Sequence, residues 1–490
     1  MLNTVLYLLA SVLWTEGAEV TVRPSSGRTW TARAFAVRAS ATLAIAGGVL
    51  AITGFSALAF VSTALFATIL ATGSNLKLRH LGEPLVFSDL AYIGATIRHP
   101  RLYIGVLPPL IRILVVALPL VVVGVVIWGA SADADRHLAG GAVAAASLIV
   151  LAWSLRDLPA LPDLEQDVAR HGLIATLLRY WLCWHRTRLT LPKQRALVLH
   201  RNAAEIVVVV QCESFIDPAE LPNLPLRLPA LAAARARADL SGRLMIEGFG
   251  AYTMRTEFGV LTGLTDPELG FRRFDPFVRG ADAAPCALAT RFAARGYDTQ
   301  FVHPFELGFY CRDRLMPALG FKTLAGRLDF VGAPKNGPYV ADQAVAANLA
   351  ARVETAPGPV LIYAVTMENH GPWAPPQGET ALHAYNRHLT NSDAMLADLM
   401  DLLDRTARPM LLVFFGDHRP SIPGQVEPSA TRHTPYVILS NRPNAAGGAT
   451  ADLTPAELHH ALIRHAAGTA PLAGRAASRE AAAAARAPEI

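Results

Sequence analysis

The fold is decided by the stretch EIVVVVQCESF, residues 205–215. Residues 206–210 are all isoleucine or valine, which is typical of a strand buried on both faces, as the strands of parallel sheets are. Polar side chains follow this run directly, and Glu213 is among them. The stretch therefore predicts a buried parallel strand that delivers a carboxylate to one edge of a sheet.

Short apolar runs of the same kind recur along the rest of the carboxyl-terminal half. They lie at residues 299–302, 360–365, 410–415 and 435–439. Helix-like segments are found between them, at 286–295, 342–353 and 386–404. Strands that alternate with helices predict an α/β domain with a mainly parallel central sheet.

Four of these runs are followed by carboxylates or imidazoles. Glu213 follows the first, His303 the second, the segment TMENH (366–370) the third and Gly416-Asp417-His418 the fourth. Since ligands bind at the carboxyl ends of parallel strands, we expect these side chains to meet at one edge. Glu, Asp and His gathered together are typical metal ligands.

Asp417-His418 is the sharpest of these signals. Neighbouring residues of a strand point to opposite sides, so both can reach one ion only where the strand ends, and Gly416 would allow the bend. An Asp-His pair is also common in surface turns. Its position after the buried run LLVFF (411–415) favours the metal site.

A second motif is GFGAYTMRTEF, residues 248–258. Glycines before a helix-like stretch let backbone N–H groups meet an anion at the helix start, where a Thr could contact a phosphate or a metal. The alternative is an ordinary Thr N-cap. Thr253 and Thr256 are both candidates on this pattern.

The composition excludes an ordinary soluble enzyme. Of the 490 residues, 52% are hydrophobic and 17% charged, whereas a soluble domain carries about 25% charged residues. The net charge of +5 is small, with no dense Lys/Arg run, so nucleic acid is not an expected partner. None of the four cysteines forms a C-x-x-C pair. We expect Cys286 and Cys311 to be buried separately, although they could pair in an oxidising compartment.

The apolar excess lies mainly in uncharged segments near the amino terminus, and a span needs about 20 residues. Residues 39–76 fit two helices with a turn near Thr53-Gly54. Residues 113–132 and 138–155 fit one helix each, and residues 1–15 are a shorter fifth candidate. We expect about five transmembrane helices, with a buried core helix as the alternative for 1–15.

The same patterns divide the chain into four parts. They are a transmembrane domain (1–155), a juxtamembrane amphipathic linker (156–203), a catalytic domain (204–469) and an Ala/Arg-rich tail (470–490). Aromatic and cationic side chains alternate over residues 179–188, as suits the headgroup layer of a bilayer. An ordinary linker helix would also fit this stretch.

Taken in order, these motifs resemble the lipoteichoic acid synthase group, a phosphoglycerol transferase family of the alkaline phosphatase/sulfatase superfamily. The resemblance covers about residues 204–440 and extends weakly to LGEPLVFSD (81–89). It implies a sulfatase-like α/β domain behind the membrane helices. It also implies that Glu213, Asp417 and His418 bind one divalent metal.

The resemblance assigns further roles residue by residue. The family's nucleophile is the Thr of a T-x-x-x-E-F segment, which matches Thr253 and not Thr256. The synthases usually carry Trp where Tyr310 stands. The implied substrate-binding residues are His303, Tyr310, Arg312, Asn369 and His370, with His433 added from the phosphoethanolamine transferases.

The physical chemistry agrees with this assignment. A Thr hydroxyl is a poor nucleophile until a bound cation favours its alkoxide. Glu213, Asp417, His418 and the Thr253 oxygen make a four-ligand set that suits Zn²⁺ or Mn²⁺, with Mg²⁺ as a further option. There is no Cys-x-Pro-x-Arg segment for a sulfatase and no clear second metal set for an alkaline phosphatase.

The implied function is transfer of glycerol phosphate from a phospholipid donor, phosphatidylglycerol, through a phosphothreonine intermediate. The acceptor would be an extracytoplasmic glycan or polyol, which puts the catalytic domain on the periplasmic side of a bacterial inner membrane. The bias of Lys and Arg in the loops favours the opposite orientation. The alternatives are a phosphoethanolamine transferase, a phosphodiesterase and an inactive membrane scaffold.

Overall fold

The computed structural model describes residues 2–25, 31–91, 124, 133–193, 196–221, 226–373, 379–442 and 448–469. Within these residues the chain divides into two units. Unit 1 is drawn from Met1–Arg188 and Gly270–Phe274, and unit 2 from Leu189–Leu269 and Asp275–Ile490.

Unit 1 is helical throughout its described part. Its helices are α1 (Leu2–Thr21), α2 (Ala32–Thr53), α3 (Ser56–Leu81), α4 (Phe87–Ala91), α5 (Ala134–Ser154), α6 (Leu164–His171) and α7 (Leu173–Arg186). Of these, α2, α3 and α5 are long and apolar enough to cross a membrane. The predicted helical anchor is therefore confirmed, while the span predicted at 113–132 lies outside the described residues.

The turn between α2 and α3 lies where the sequence predicts it. Gly54 adopts a left-handed conformation with φ 62°, and its N–H donates to the carbonyl of Leu50 at 2.8 Å. This is the usual way in which a glycine ends a helix. Helix α2 also packs closely on α5, since a Cβ at Gly47 would lie 2.7 Å from the Ala144 nitrogen.

Helix α1 runs beyond residue 15 and carries a buried carboxylate, Glu19, and a partly buried one, Glu16. Glu16 accepts hydrogen bonds from Nε and Nη2 of Arg38 at 2.8 and 2.6 Å. Glu19 accepts the N–H groups of Leu173 and Ile174 at 2.7 and 2.8 Å, a favourable place for a negative charge at the start of α7. These contacts join α1 to α2 and α7, and α1 is not among the three helices that fit a span.

Helix α7 buries part of its aromatic face in unit 1. Tyr180 contacts Phe271 and Phe274, with ring centroids 4.9 and 5.4 Å apart, and Trp184 is buried in the same cluster. Trp181 is half exposed. Thus Tyr180 and Trp184, two of the three aromatic residues in the 179–188 stretch that was expected at the headgroup layer, pack against protein.

Unit 2 is built on an eight-stranded sheet with the order β10-β2-β9-β8-β1-β7-β3-β4. Its strands are β1 (Ile206–Cys212), β2 (Leu240–Leu244), β3 (Asp298–Val302), β4 (Thr323–Ala325), β7 (Val360–Val365), β8 (Met410–Gly416), β9 (Thr434–Ser440) and β10 (Ala449–Thr450). Strands β5 (Lys335–Asn336) and β6 (Tyr339–Val340) form a separate hairpin. Strands β8, β1, β7, β3 and β4 are parallel, and β9 runs antiparallel to β8 and β2. The predicted mainly parallel sheet is confirmed.

All five predicted runs overlap strands of this sheet. Strand β2 was not predicted, because its LSGRL sequence is only partly buried and lacks an apolar run. The helices of this unit are α8 (Pro229–Arg237), α9 (Thr253–Thr262), α10 (Asp266–Leu269), α11 (Leu288–Ala293), α12 (Arg312–Ala318), α13 (Asp342–Thr355), α14 (Ala381–Arg405) and α15 (Pro455–Ala466). The predicted helices correspond to α11, α13 and α14.

Candidate active site and metal centre

The pairing of the central strands brings the predicted metal ligands together. Cys212 of β1 lies opposite Gly416 of β8 in a parallel ladder. Glu213 and Asp417, one residue further on, therefore leave the sheet side by side at its carboxyl edge. His418 follows Asp417 in the same turn.

Glu213, Asp417 and His418 form a compact group in which the candidate ligand atoms all lie within 4.8 Å of one another. His418 Nε2 lies 3.3 Å from Glu213 Oε1 and 3.6 Å from Asp417 Oδ2. All three side chains are at least 95% buried. Within the described residues this is the one group of three or more His, Cys, Asp or Glu side chains with such spacing.

The electrostatics of this group fit a bound cation. Asp417 Oδ2 is buried and accepts no hydrogen bond. Burial, followed by the nearby charge of Glu213, raises the pKa of Asp417 to about 7. Burial alone would lower the pKa of His418, yet Asp417 and Glu213 raise it above its usual value. Two buried carboxylates with one unsatisfied oxygen are a costly arrangement that a divalent cation would relieve.

Ser214 holds the two carboxylates in place. Its N–H donates to Asp417 Oδ1 at 2.8 Å, and its hydroxyl donates to Glu213 Oε1 at 2.9 Å. Its carbonyl accepts a hydrogen bond from the Tyr385 hydroxyl at 2.8 Å. Ser214 has φ 49°, a left-handed conformation that is uncommon for a non-glycine residue and is often found at functional sites.

Gly416 serves a different purpose from the bend that its sequence suggests. It is the last residue of β8, and its φ is not in the left-handed region. A Cβ at this position would lie 2.0 Å from the Phe215 carbonyl oxygen. The site therefore needs glycine here because the backbone of the neighbouring turn passes too close for any side chain.

The two threonines of the second motif have distinct environments. Thr253 is the first residue of α9, is buried, and is among the groups beside the Asp417 carboxyl that act to lower its pKa against the larger effect of burial. Tyr252, just before it, has φ 75°. The Thr256 hydroxyl instead donates to the Asp417 backbone carbonyl at 2.9 Å. Thr253 thus lies at the metal ligands, whereas Thr256 supports the turn that carries them.

Arg312 is held by Glu257, a residue to which the sequence reasoning assigned no role. Nε and Nη2 of Arg312 donate to the two carboxylate oxygens of Glu257 at 3.1 and 2.6 Å, with both side chains buried. Nη1 lies 3.3 Å from His303 Nε2. Because a guanidinium has five N–H donors, one N–H on each terminal nitrogen is left for a phosphate oxygen.

The contacts of His303 determine its protonation. Its Nδ1 lies 3.0 Å from the Val365 carbonyl, which can only accept, and its Nε2 faces Arg312, which can only donate. His303 is therefore neutral with its proton on Nδ1. Burial and then the Arg312 charge hold the pKa of His303 well below its usual value, in agreement with this assignment.

Tyr310 lies in an aromatic group beside Arg312. Its ring centroid is 4.3 Å from that of Phe309 and 6.3 Å from that of Phe277, and Arg312 Cζ lies 5.2 Å from it. Tyr310 and Cys311 have φ values of 57° and 56°. His303, Tyr310 and Arg312 of the predicted segment thus form one contiguous group of side chains, with Phe277 as an addition.

Asn369 and His370 occupy the end of β7. The Asn369 amide donates to the Ser214 carbonyl at 3.3 Å, and its oxygen accepts from Trp373 Nε1 at 3.3 Å, so both ends contact protein. His370 is half-buried against the Tyr339 ring, and its Nδ1 lies 2.6 Å from the Gly371 carbonyl. Its Nε2 is the edge available to another partner.

Two further polar residues of the predicted edge are engaged elsewhere. His433 Nε2 lies 2.6 Å from Glu220 Oε2, which also accepts from Arg419 Nη2 at 2.7 Å. Glu368, beside Asn369, accepts hydrogen bonds from the side chains of Asn336 and Asn391 at 3.0 and 2.7 Å. Glu368 also accepts the Asp342 N–H at 2.6 Å and lies 3.1 Å from His388 Nδ1, so the contacts of both residues are with partners other than Glu213, Asp417 and His418.

The sequence reasoning missed Ser214, Glu257 and Tyr339 as supporting residues. Ser214 and Glu257 both lie inside the quoted motifs. The available signal for Ser214 was its position next to the metal ligand Glu213, and for Glu257 its place as the Glu of the T-x-x-x-E-F segment. Tyr339 comes from the β5–β6 hairpin and carried no such signal. The two cysteines are unpaired as expected, but Cys311 is exposed and only Cys286 is buried.

This chain is similar in sequence to known proteins. A family model described as Sulfatase matches residues 205–469. The capsular polysaccharide biosynthesis protein RkpI of Rhizobium meliloti (strain 1021) is 30% identical over 292 residues, which is 56% of this chain and 54% of that protein. The chain thus spans between 37% and 54% of the length of the three curated relatives it matches.

Among solved structures, the similarity of this chain is to proteins of low sequence identity. The Streptococcus pyogenes phosphoglycerol transferase GacH, in complex with sn-glycerol-1-phosphate, is 21% identical with a TM-score of 0.46, covering 55% of this chain and 77% of that one. The lipoteichoic acid synthase LtaP of Listeria monocytogenes is 15% identical with a TM-score of 0.43, covering 56% and 76%. Because the family match extends over more than half of its residues, this chain belongs to the sulfatase family of the alkaline phosphatase superfamily.

Proposed function

We propose that this chain is a membrane-anchored phosphotransferase that moves glycerol phosphate from phosphatidylglycerol to an extracytoplasmic glycan or glycerol-phosphate acceptor. The single observation that carries the proposal is that Glu213, Asp417 and His418 converge in one buried group beside Thr253, the buried first residue of α9. This arrangement joins a nucleophilic hydroxyl to a set of metal ligands.

In this proposal Glu213, Asp417, His418 and the Thr253 oxygen hold one divalent cation, Zn²⁺ or Mn²⁺, with Mg²⁺ as a further option. When bound, the cation would favour the Thr253 alkoxide and offset negative charge on the phosphoryl oxygens. The unsatisfied Asp417 Oδ2 supports this role.

The chain's own residues then account for both halves of the transfer. The Thr253 oxygen, having lost its proton to water, attacks the phosphorus of the lipid, the bond to the diacylglycerol oxygen breaks, and glycerol phosphate remains on Thr253. An acceptor hydroxyl then attacks the same phosphorus and loses its proton, and the bond to the Thr253 oxygen breaks, so that Thr253 takes up a proton again. Arg312 binds the phosphate through the N–H groups that Glu257 leaves available. His370 is the better proton donor for the leaving oxygen, since Nε2 of His303 faces Arg312 as an acceptor.

The resemblance of the His303, Tyr310 and Arg312 segment favours glycerol phosphate over phosphoethanolamine. The similarity to a protein named for capsular polysaccharide biosynthesis supports a glycan acceptor. The three apolar helices support an anchor in the same bilayer as the donor. The orientation proposed for this anchor, with the catalytic domain in the periplasm of the inner membrane, rests on the resemblance.

The test is a lipid assay with the purified full-length chain in vesicles that contain either phosphatidylglycerol or phosphatidylethanolamine. We expect diacylglycerol to be released from phosphatidylglycerol, to require added Mn²⁺ or Zn²⁺, and to depend on Thr253. Release from phosphatidylethanolamine alone would indicate a phosphoethanolamine transferase. Release of free glycerol phosphate whether or not acceptors are added would indicate a phosphodiesterase, and no turnover of either lipid would favour the inactive scaffold.

A further inference from the structure

A short loop after β4 exposes two aliphatic side chains to an unusual degree. Residues 326–335 form this loop, in which Leu328 is 83% exposed and Val331 is 81% exposed. The seven most exposed large apolar side chains of the described chain range from 72% to 83%. The other five lie on α1, α2 and α5 of unit 1, at Leu2, Leu13, Ile52, Leu138 and Ile149.

The backbone conformation of the loop explains why the side chains of Leu328 and Val331 are exposed. Phe330, which lies between them, is 5% exposed and packs into the core of unit 2 with Ala325 and Val340. The Asp329 carboxylate accepts the Gly326 N–H at 2.8 Å and closes a turn of 3-10 helix. With Phe330 directed inward, this turn directs Leu328 and Val331 outward.

Cationic side chains flank the aliphatic pair. Arg327 and Lys335 lie at the two ends of the loop and are both exposed. The nearby carboxylates are already engaged, because Glu306 pairs with Arg327 Nη1 at 3.1 Å and Asp329 caps the turn. Aliphatic tips with Lys and Arg beside them suit the interface of a phospholipid bilayer, where the side chains enter the apolar layer and the cations meet phosphates.

The loop also lies at the edge of the sheet that carries the candidate site. Strand β4 is the last of the five parallel strands, and its carboxyl end leads directly into the loop. The Arg327 N–H donates to the Phe305 carbonyl at 3.0 Å, and the His303 N–H donates to the Ala325 carbonyl at 2.9 Å. The loop is therefore bonded to the segment that carries His303, Tyr310 and Arg312.

We propose that the 326–335 loop is a membrane-docking element that inserts Leu328 and Val331 into the surface of a phospholipid bilayer. Insertion brings the His303–Arg312 segment to the depth of the lipid headgroups, so that the phosphodiester reaches the site while its acyl chains stay in the bilayer. The insertion itself stands on the exposure, charge and position of the loop. Only its use in substrate access rests on the proposed function.

The test measures depth directly in the full-length chain, reconstituted in phosphatidylcholine vesicles with about one-third phosphatidylglycerol. Cys311 is first replaced by Ser, since it is the exposed native thiol. A nitroxide is then attached at Leu328→Cys, at Val331→Cys or, as the control, at Ala351→Cys on the exposed surface of α13. Collisions with oxygen, which enters the bilayer, are compared with collisions with a water-soluble nickel chelate.

We expect labels at 328 and 331 to collide preferentially with oxygen and the label at 351 to collide preferentially with the chelate. Equal preference for the chelate at all three positions would overturn the proposal. Shielding of 328 and 331 from both reagents would also overturn it, because it would indicate burial against a protein partner. None of these outcomes depends on catalysis.

A second measurement tests substrate access. Leu328→Ser with Val331→Ser should raise the apparent KM for vesicle phosphatidylglycerol by about a hundredfold, because losing the burial of each aliphatic side chain weakens binding by about tenfold. The kcat for a soluble short-chain donor should stay unchanged, and Leu328→Met should retain the low KM. An unchanged KM in the double variant would contradict the access role. Absence of turnover in the wild type would refute the proposed function and leave the labelling result intact.

Discussion

Glu257 binds Arg312 through both of its carboxylate oxygens, and neither side chain contacts solvent to a significant extent. The pair joins the helix that begins with Thr253 to the segment that carries His303 and Tyr310. Its importance is that it sets which N–H groups of Arg312 can reach a substrate. Glu257 acts here as a positioning residue for Arg312.

Glu257→Ala should destabilise the protein by about 3–5 kcal/mol, since it leaves a buried guanidinium without its partner. The double variant Glu257→Leu with Arg312→Met should recover most of that stability, because a buried ion pair can often be replaced by apolar groups of similar size. It should not recover lipid turnover. Thermal unfolding and diacylglycerol release measure the two effects. A double variant as unstable as Glu257→Ala would show that the pair is not an isolated unit.

Thr253→Ala should reduce transfer by at least about 10³-fold, as the loss of a nucleophile does in other enzymes with covalent intermediates. Thr256→Val removes the hydrogen bond to the Asp417 carbonyl and should cost about 1 kcal/mol of stability while most turnover remains. Intact mass spectrometry after mixing with donor should show a glycerol phosphate adduct on the wild type only. An adduct that persists in Thr253→Ala would reassign the nucleophile.

Metal binding should strengthen as the pH rises through about 7, because burial and the Glu213 charge raise the pKa of Asp417 from 3.8 to about 7. In the metal-free protein the fold favours the protonated Asp417 carboxyl. The folding stability that this proton contributes is complete below pH 3.8 and is lost as the pH rises to about 7. A cation must displace this proton at low pH but not at high pH.

The measurement is the rise in Tm that Mn²⁺ or Zn²⁺ produces over a chelator control. We expect a larger rise at about pH 8 than at about pH 6. Asp417→Asn should lose most of this rise and should hold less metal by elemental analysis. An equal metal-induced rise in Tm at both pH values, or in the wild type and Asp417→Asn, would count against the site.

One thiol should react in the folded protein and four after denaturation without reductant, because Cys183, Cys212 and Cys286 are buried and Cys311 is exposed. Partial desolvation of the Cys311 sulfur, with the nearby charges of Asp313 and Asp275, raises the pKa of this exposed residue, so its reaction should accelerate as the pH increases. Cys311→Ser is the control and should remove the early reaction. A count that reaches four only after reduction would reveal a disulfide.

Gly416→Ala should destabilise the protein severely, because its Cβ would lie 2.0 Å from the Phe215 carbonyl oxygen. Gly424→Ala is the matched control: Gly424 has φ 75° with open space around it, so only backbone strain of about 1 kcal/mol is expected. Chemical denaturation of both variants compares the two effects. Similar losses would mean that the turn after β1 can move away from β8.

The order of motifs was sufficient to predict five of the eight strands of the sheet and that Glu213, Asp417 and His418 lie together. Continuous apolar runs identify buried strands without reference to the rest of the chain, and a polar residue after each run must lie at the carboxyl edge. Glu213, Asp417 and His418 were therefore predictable as neighbours. The helices of the anchor follow from length and hydropathy in the same local way.

What the sequence by itself determined was local: which segments are strands or spans, and which end of each strand carries chemistry. Only the tertiary structure decided the partners, because hydrogen bonds and ion pairs join residues far apart in the chain. It paired Arg312 with Glu257 and directed His303 Nε2 toward Arg312 as an acceptor. It placed His433 beside Glu220. It also showed that glycine is needed at position 416 because there is no space for a side chain, and not because the chain bends there. These contacts depend on which surfaces meet once the strands have paired in their register, and no local sequence pattern specifies that.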